Sequence, residues 1–222
     1  MKVELTLRRI KYVIAIFVFS ALSISFAINA NAEQKYSPLK EYFVNYELKG
    51  NSSGTKQHAS QDWGRKQCWI EISDMNIMGN SVKKNEKVIA EIKDGDQWIT
   101  TINLDDNTGK TMKNPMFGGV AKGMEGKNPK EFSEQFMKEM GGQVKGQKTV
   151  NGEKCTEWTL MGGAFTCVTE DLIAVESGAN MAGIEILEVA TEVKRNNPGP
   201  NGICDIGDAK IKEIDINQMM GQ

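Results

Sequence analysis

The stretch "EKVIAEIKDGDQWITTINLDDNTGK", residues 86–110, decides the fold. Val88, Ala90 and Ile92 alternate with other residues before Asp94-Gly95, and Trp98, Ile102 and Leu104 align after it. Alternation with period two puts each set on one face of a half-buried strand. Asp-Gly supplies the two left-handed residues of the tight turn that matches the twist of an antiparallel pair. "DDNTGK" turns the chain again toward a short strand at "KTMKN", so the segment predicts a meander.

The same alternation extends outward. In "YFVNYELKG" Tyr42, Val44, Tyr46 and Leu48 share a face, and in "RKQCWIEIS" Cys68, Ile70 and Ile72 do. After Gly142, "QKTVNGEKCTEWTL" (with an Asn151-Gly152 turn), "AFTCVTEDLIAVES" and "GIEILEVATEVKRN" read as strands, and "AKIKEI" as a last short one. About eight to ten strands are expected. "NPKEFSEQFMKEMGG", residues 128–142, is the one marked helix: Asn128 is the N-cap, Pro129 opens the first turn, Glu131 completes the capping geometry and Gly141 stops it. Phe132, Phe136 and Met140, with Met137 beside them, form an apolar stripe opposite Lys130, Glu134, Lys138 and Glu139. "NPMFGGVAKGMEGK", residues 114–127, has no period and reads as a glycine-rich loop.

The chain opens with Lys2, Arg8, Arg9 and Lys11 ahead of an apolar run from Tyr12 to Ala27, and Ala30-Asn31-Ala32 forms a small-x-small cleavage site. This reads as a secretory signal peptide over residues 1–32, with a retained membrane anchor as the alternative. Residues 33–222 then form one domain without an integral membrane segment, periplasmic or secreted. Cleavage leaves 23 basic against 28 acidic residues, net −5 over 190 residues, which offers no electrostatic footprint for nucleic acid.

Cys68, Cys155, Cys167 and Cys204 in an oxidising compartment point to two disulfides, for which three connectivities exist. A three-residue loop Leu160-Met161-Gly162 would set Cys155 opposite Cys167, whereas a two-residue Gly162-Gly163 turn would put them on opposite faces. The pairing carried forward is Cys155–Cys167 with Cys68–Cys204. Zinc is the rival, but the spacings fit no zinc motif and His58, the one histidine, is remote from every cysteine in sequence.

A long twisted sheet must hide its apolar face, and one four-turn helix cannot cover it alone. The sheet therefore closes as a barrel or leaves a cavity roofed by the helix and the glycine-rich loop. Met112, Met116, Phe117, Met124, Phe132, Phe136, Met137 and Met140 are the roof candidates, and such side chains repack around varied apolar shapes. The alternatives are a filled core serving a protein-interaction module, and a copper site built on the pairs Met75/Met78, Met112/Met116 and Met137/Met140. Neither G-x-S-x-G, H-E-x-x-H nor a P-loop occurs, His58 reads as an exposed loop or edge-strand residue, and Asp105-Asp106 belongs to a turn, so no enzyme activity and no cofactor is expected.

"YFVNYELKGNSSGTKQ", the "KVIAEIKDGDQWITTINLDDNTGK" hairpin, "GQKTVNGEKCTEWTL", "DLIAVES" and "EVATEVKRNNPGP" together resemble the lipoprotein-carrier superfamily with its LolA-like fold, and more narrowly an exported branch of it. The resemblance spans residues 41–215 and implies an incomplete, strongly curved antiparallel barrel with helices across its mouth and an apolar cavity that in carriers takes acyl chains. This chain shows one lid helix where carriers have several, and no transfer residue is carried over. The expectation is thus a mostly β (α+β) fold, a single curved sheet with a lid helix near residues 129–140. It would hold an apolar small molecule or lipid acyl chain against Trp98, Ile102, Phe132, Phe136, Met137 and Met140.

Overall fold

The computed structural model describes residues 34–77, 79–181 and 183–215; the expected signal peptide lies outside them. The described residues from Lys35 onward form one compact unit. Among the described residues twelve strands make one sheet in the order β12-β6-β5-β4-β3-β2-β1-β11-β10-β9-β8-β7. They are β1 Tyr42–Gly50, β2 Ser52–Gln61, β3 Lys66–Ile77, β4 Asn80–Lys93, β5 Asp96–Asn103, β6 Thr108–Lys113, β7 Gln143–Val150, β8 Glu153–Thr159, β9 Ala164–Val168, β10 Ala174–Met181, β11 Ile184–Arg195 and β12 Lys210–Glu213. The sheet is large, curved and not closed, and every pairing is antiparallel except β12 against β6. Two helices, α1 (Phe117–Met124) and α2 (Pro129–Glu139), connect β6 to β7.

The turns obey their local chemistry. Asp94 and Gly95 take φ of 53° and 82° between the paired residues Lys93 and Asp96, and Asn151 and Gly152 do the same between Val150 and Glu153. Asn128 caps α2 by accepting the Glu131 N–H at 2.9 Å. Gly141, at φ 75°, ends it.

Three expectations change. The stretch 114–127 holds a helix, because Phe117, Val120 and Met124 recur on one side of it despite three glycines. "SSGTKQHASQ" is an interior strand, paired on both edges, although its own residues are polar. The β8–β9 connection is Met161-Gly162-Gly163, one residue later than expected, with the Leu160 N–H bonded to the Ala164 carbonyl. The odd loop keeps both cysteines on one face, now as diagonal neighbours.

Both faces of the sheet are covered. On one, Tyr42 lies under the helices and, with Val44 and Tyr46 farther along β1, joins a buried cluster with Val150, Ile173, Val175, Ala190 and the Cys155–Cys167 bridge. On the other, the row Phe43–Ala59–Cys68–Ile89 runs straight across β1 to β4. The segment following β11 straps this row: Ile203 and Cys204 are buried on it, and Cys204 is bonded to Cys68. Gly199, at φ 85°, lies so close that a Cβ would come within 2.9 Å of the Phe43 ring.

The two bridges differ in what they constrain. Cys68–Cys204 spans 136 residues and Cys155–Cys167 spans 12. Loop-closure entropy then predicts a loss of about 5 kcal/mol for Cys68→Ser/Cys204→Ser and about 3 kcal/mol for Cys155→Ser/Cys167→Ser. Urea unfolding of the two double variants under one set of conditions checks the order.

Candidate functional site

The helix face carries a chamber of about 350 Å³ at one end of the sheet. Its floor is the cross-strand row Tyr42, Ser60 and Gln67, continued by Ile92, Gln97 and Asn114. Its roof is Phe117, Val120 and Met124 from α1, and Phe132 and Phe136 from α2, with Tyr36 and Leu172 at the sides. Gly123 lets the two helices approach: a Cβ there would stand 3.0 Å from the Phe132 ring. Phe132 and Phe136 stack at 5.9 Å, and Tyr36 meets Phe117 at 5.7 Å.

A second depression of about 580 Å³ lies on the other side of α2, between the helix and β7–β9. Met137, Trp158 and Val168 form its apolar part, and Lys130, Lys148 and Lys154 are among its polar wall. Ser133 and Leu172 line both spaces, so α2 lies across a continuous trough.

Farther along the helix face the chemistry changes to paired charge. Lys56 bonds Glu188 at 2.8 Å, Lys84 sits between Glu71 and Glu86 at 3.1 and 3.0 Å, and Ser73 donates to Glu71. The Tyr46 hydroxyl donates to the Ala174 carbonyl at 2.7 Å. Burial pushes the Tyr42 phenol up to about 12, against a smaller opposite pull from the Ser60 hydroxyl.

Of the expected lining residues, Phe132 and Phe136 reach the chamber, and Met137 reaches the adjoining depression. Met140 ends α2 half exposed, at 50 %. Trp98 and Ile102 face the other way. Ile89 pairs with Thr100, so Trp98, Thr100 and Ile102 share the strap face, where Trp98 lies under the Lys113 ammonium and Ile102 is sealed beside Gly109 and Ile211. The two-residue turn already dictates this: pairing Lys93 with Asp96 matches Val88, Ala90 and Ile92 to Thr101, Ile99 and Gln97. Alternation identified two faces correctly but joined the large residues of β5 to the wrong one.

Among the roof candidates Phe117 and Met124 are buried, whereas Met116 is 77 % exposed. Among the described residues no cluster of three or more His, Cys, Asp and Glu side chains could hold a metal. No described helix is long and apolar enough to cross a membrane.

His58 is not an edge residue. It sits partly buried between the Tyr42 and Trp69 rings, at 5.6 and 6.4 Å. Burial, then the Lys56 charge, lower its pKa to about 4, and a hydrogen bond with Gln67 opposes them. The unfolded chain therefore takes up a proton near pH 6.5, before the fold does. The contribution of neutral His58 is complete above that pH and is lost as pH falls to about 4. Stability should drop by at most about 3 kcal/mol over this window, and His58→Gln should flatten the drop, as read by urea midpoints at a series of pH values.

No protein-family profile matches the chain, and no curated relative does. Solved structures do. An uncharacterized conserved protein from Thermus thermophilus superposes with a TM-score of 0.51 at 8 % identity, over 88 % of this chain and 99 % of that one. PNGF-II aligns at 0.47 and 9 % over 82 % of this chain but 33 % of its own, and MucB in complex with MucA(peri) at 0.36 and 12 % over 72 % and 52 %. At 8 % identity the likeness to the Thermus protein is one of fold.

Proposed function

We propose that this is an exported binding protein that holds an apolar small molecule or acyl chain in the chamber beneath α1 and α2. The observation that carries the reading is the chamber itself. Apolar side chains from both helices roof a space within the size range of ligand sites, over a floor of neutral side chains that includes Tyr42, Ile92 and Gln67, and no side chain fills it. The phrases that resemble lipoprotein carriers favour the same use. The two disulfides fit an oxidising compartment, and with the N-terminal pattern they favour the periplasm or the outside of the cell. No catalytic constellation contributes to this reading.

A second reading is a module that docks another protein. Met140 and Met161, 50 % and 72 % exposed, lie near each other, because Met161 packs on Gly141 where α2 ends. Apolar side chains exposed together are a feature of docking surfaces.

Native mass spectrometry of protein purified from the exported fraction without detergent separates the two. A bound species of acyl-chain mass is expected, reduced at least tenfold in Phe132→Asp, which buries a carboxylate in the roof. A clean apo mass with no uptake of added lipid would sink the binding reading and leave the docking one.

A further inference from the structure

Two spaces of unlike chemistry meet under α2. None of the described side chains that line the chamber is charged, whereas Lys130, Glu134, Lys148, Lys154 and Glu170 line the adjoining depression. Ser133 and Leu172 belong to both linings and so mark the throat between a neutral space and a charged one. Leu172 is held there with φ at 66°, a conformation that bulky side chains rarely adopt, in the turn between β9 and β10. The turn is tied on both sides of it: the Leu172 N–H donates to the Thr169 carbonyl at 3.1 Å, and the Ile173 N–H to the Thr169 hydroxyl at 3.0 Å. Asp171, bonded to Thr169 and Arg195, braces the same turn. An apolar side chain fixed at the throat suits a hydrocarbon chain and not a charged group.

The charges of the depression are not equally available. Lys148 is shared by Glu157 and Glu176. Lys130 meets Glu170 at 3.4 Å and has Glu134 one turn along the helix, so it already stands between two carboxylates. Lys154, on β8, makes no ion pair among the described residues. Thr149, its partner across β7, and Thr156 line the same wall and add hydroxyl donors. The wall therefore offers one cation with no counterpart, flanked by groups that bond oxygen anions.

We infer that the site takes a single acyl chain with an anionic head: the chain lies in the chamber and passes Leu172, and the head sits in the depression at Lys154. This rests on the binding reading above and names its ligand class. Carboxylate and phosphate heads share the required chemistry. At roughly 30 Å³ per water-sized group the chamber takes about a dozen heavy atoms, so the head of a chain of that length stands beyond the throat.

Equilibrium dialysis of labelled dodecanoate and 1-dodecanol at pH 8, where the acid is ionised, tests this. Lys154→Gln should weaken dodecanoate about three- to tenfold and leave 1-dodecanol within about twofold, because only the acid brings a charge to the exposed lysine. Leu172→Asn, which suits the left-handed backbone, should weaken both by placing an amide in the throat. Dodecyl phosphate should compete with dodecanoate, and inorganic phosphate should not. Dodecanoate held equally by wild type and Lys154→Gln overturns the inference, as does a Leu172→Asn variant that binds both probes as wild type does. Competition by inorganic phosphate also overturns it, since the depression would then be a plain anion site. Uptake of 1-dodecanol without dodecanoate leaves the binding reading standing and sinks the inference; uptake of neither sinks both.

Discussion

The contact on which the rest depends is the strap laid across Phe43, Ala59, Cys68 and Ile89 and bolted there through Cys204. An open sheet has two faces, and a barrel solves the exposure of one of them by closing. This sheet does not close, so the face that lacks helices needs its own cover. The chain provides it with an irregular segment whose backbone groups are met one by one: Gln61 donates to the Pro198 carbonyl, and Lys87 to those of Gly202 and Asp205. With that face dry, β1 to β4 become a two-sided wall, and the helix face is free to carry a chamber rather than the whole core.

The division of the helix face into an apolar end and a charged belt follows from the register. Each row across β1, β2 and β3 has a single character: Tyr42–Ser60–Gln67 is neutral, and Tyr46–Lys56–Glu71 holds the first ion pairs. Glu71 is buried, and its carboxylate is met by Ser73 and Lys84. Belts of this kind gain little net energy over apolar packing, but they limit where a greasy molecule can lie. His58 stands at the boundary, neutral and held between two rings, with Lys56 on one side and Gln67 on the other.

Much of the sheet was legible because its determinants are local. Asp94-Gly95, Asn151-Gly152 and the alternation around them specify hairpins without reference to the rest of the chain, and Asn128 and Pro129 specify the start of α2. What escaped depends on neighbours. β2 is polar by itself and is a strand because β1 and β3 supply both its hydrogen-bond partners and the rings around His58. α1 looked like a loop because three of its eight residues are glycine, and Gly123 is there to admit the Phe132 ring rather than to break the helix. Ser60 gave no signal at all, since a serine in a polar strand becomes informative only when the structure shows it buried beside Tyr42.

The roof is uneven in a way that bears on how a ligand would enter. α1 buries Phe117 and Met124, whereas α2 has no fully buried residue and leaves Phe136 42 % exposed. Burial sets how much free energy resists displacement, so α2 is the cheaper helix to lift. Its far end rests on the β8–β9 turn, with Gly141 against Met161 and Gly142 against Leu160. Cys155–Cys167 ties the two strands below that turn. The short bridge thus steadies the surface on which the loosely packed helix ends.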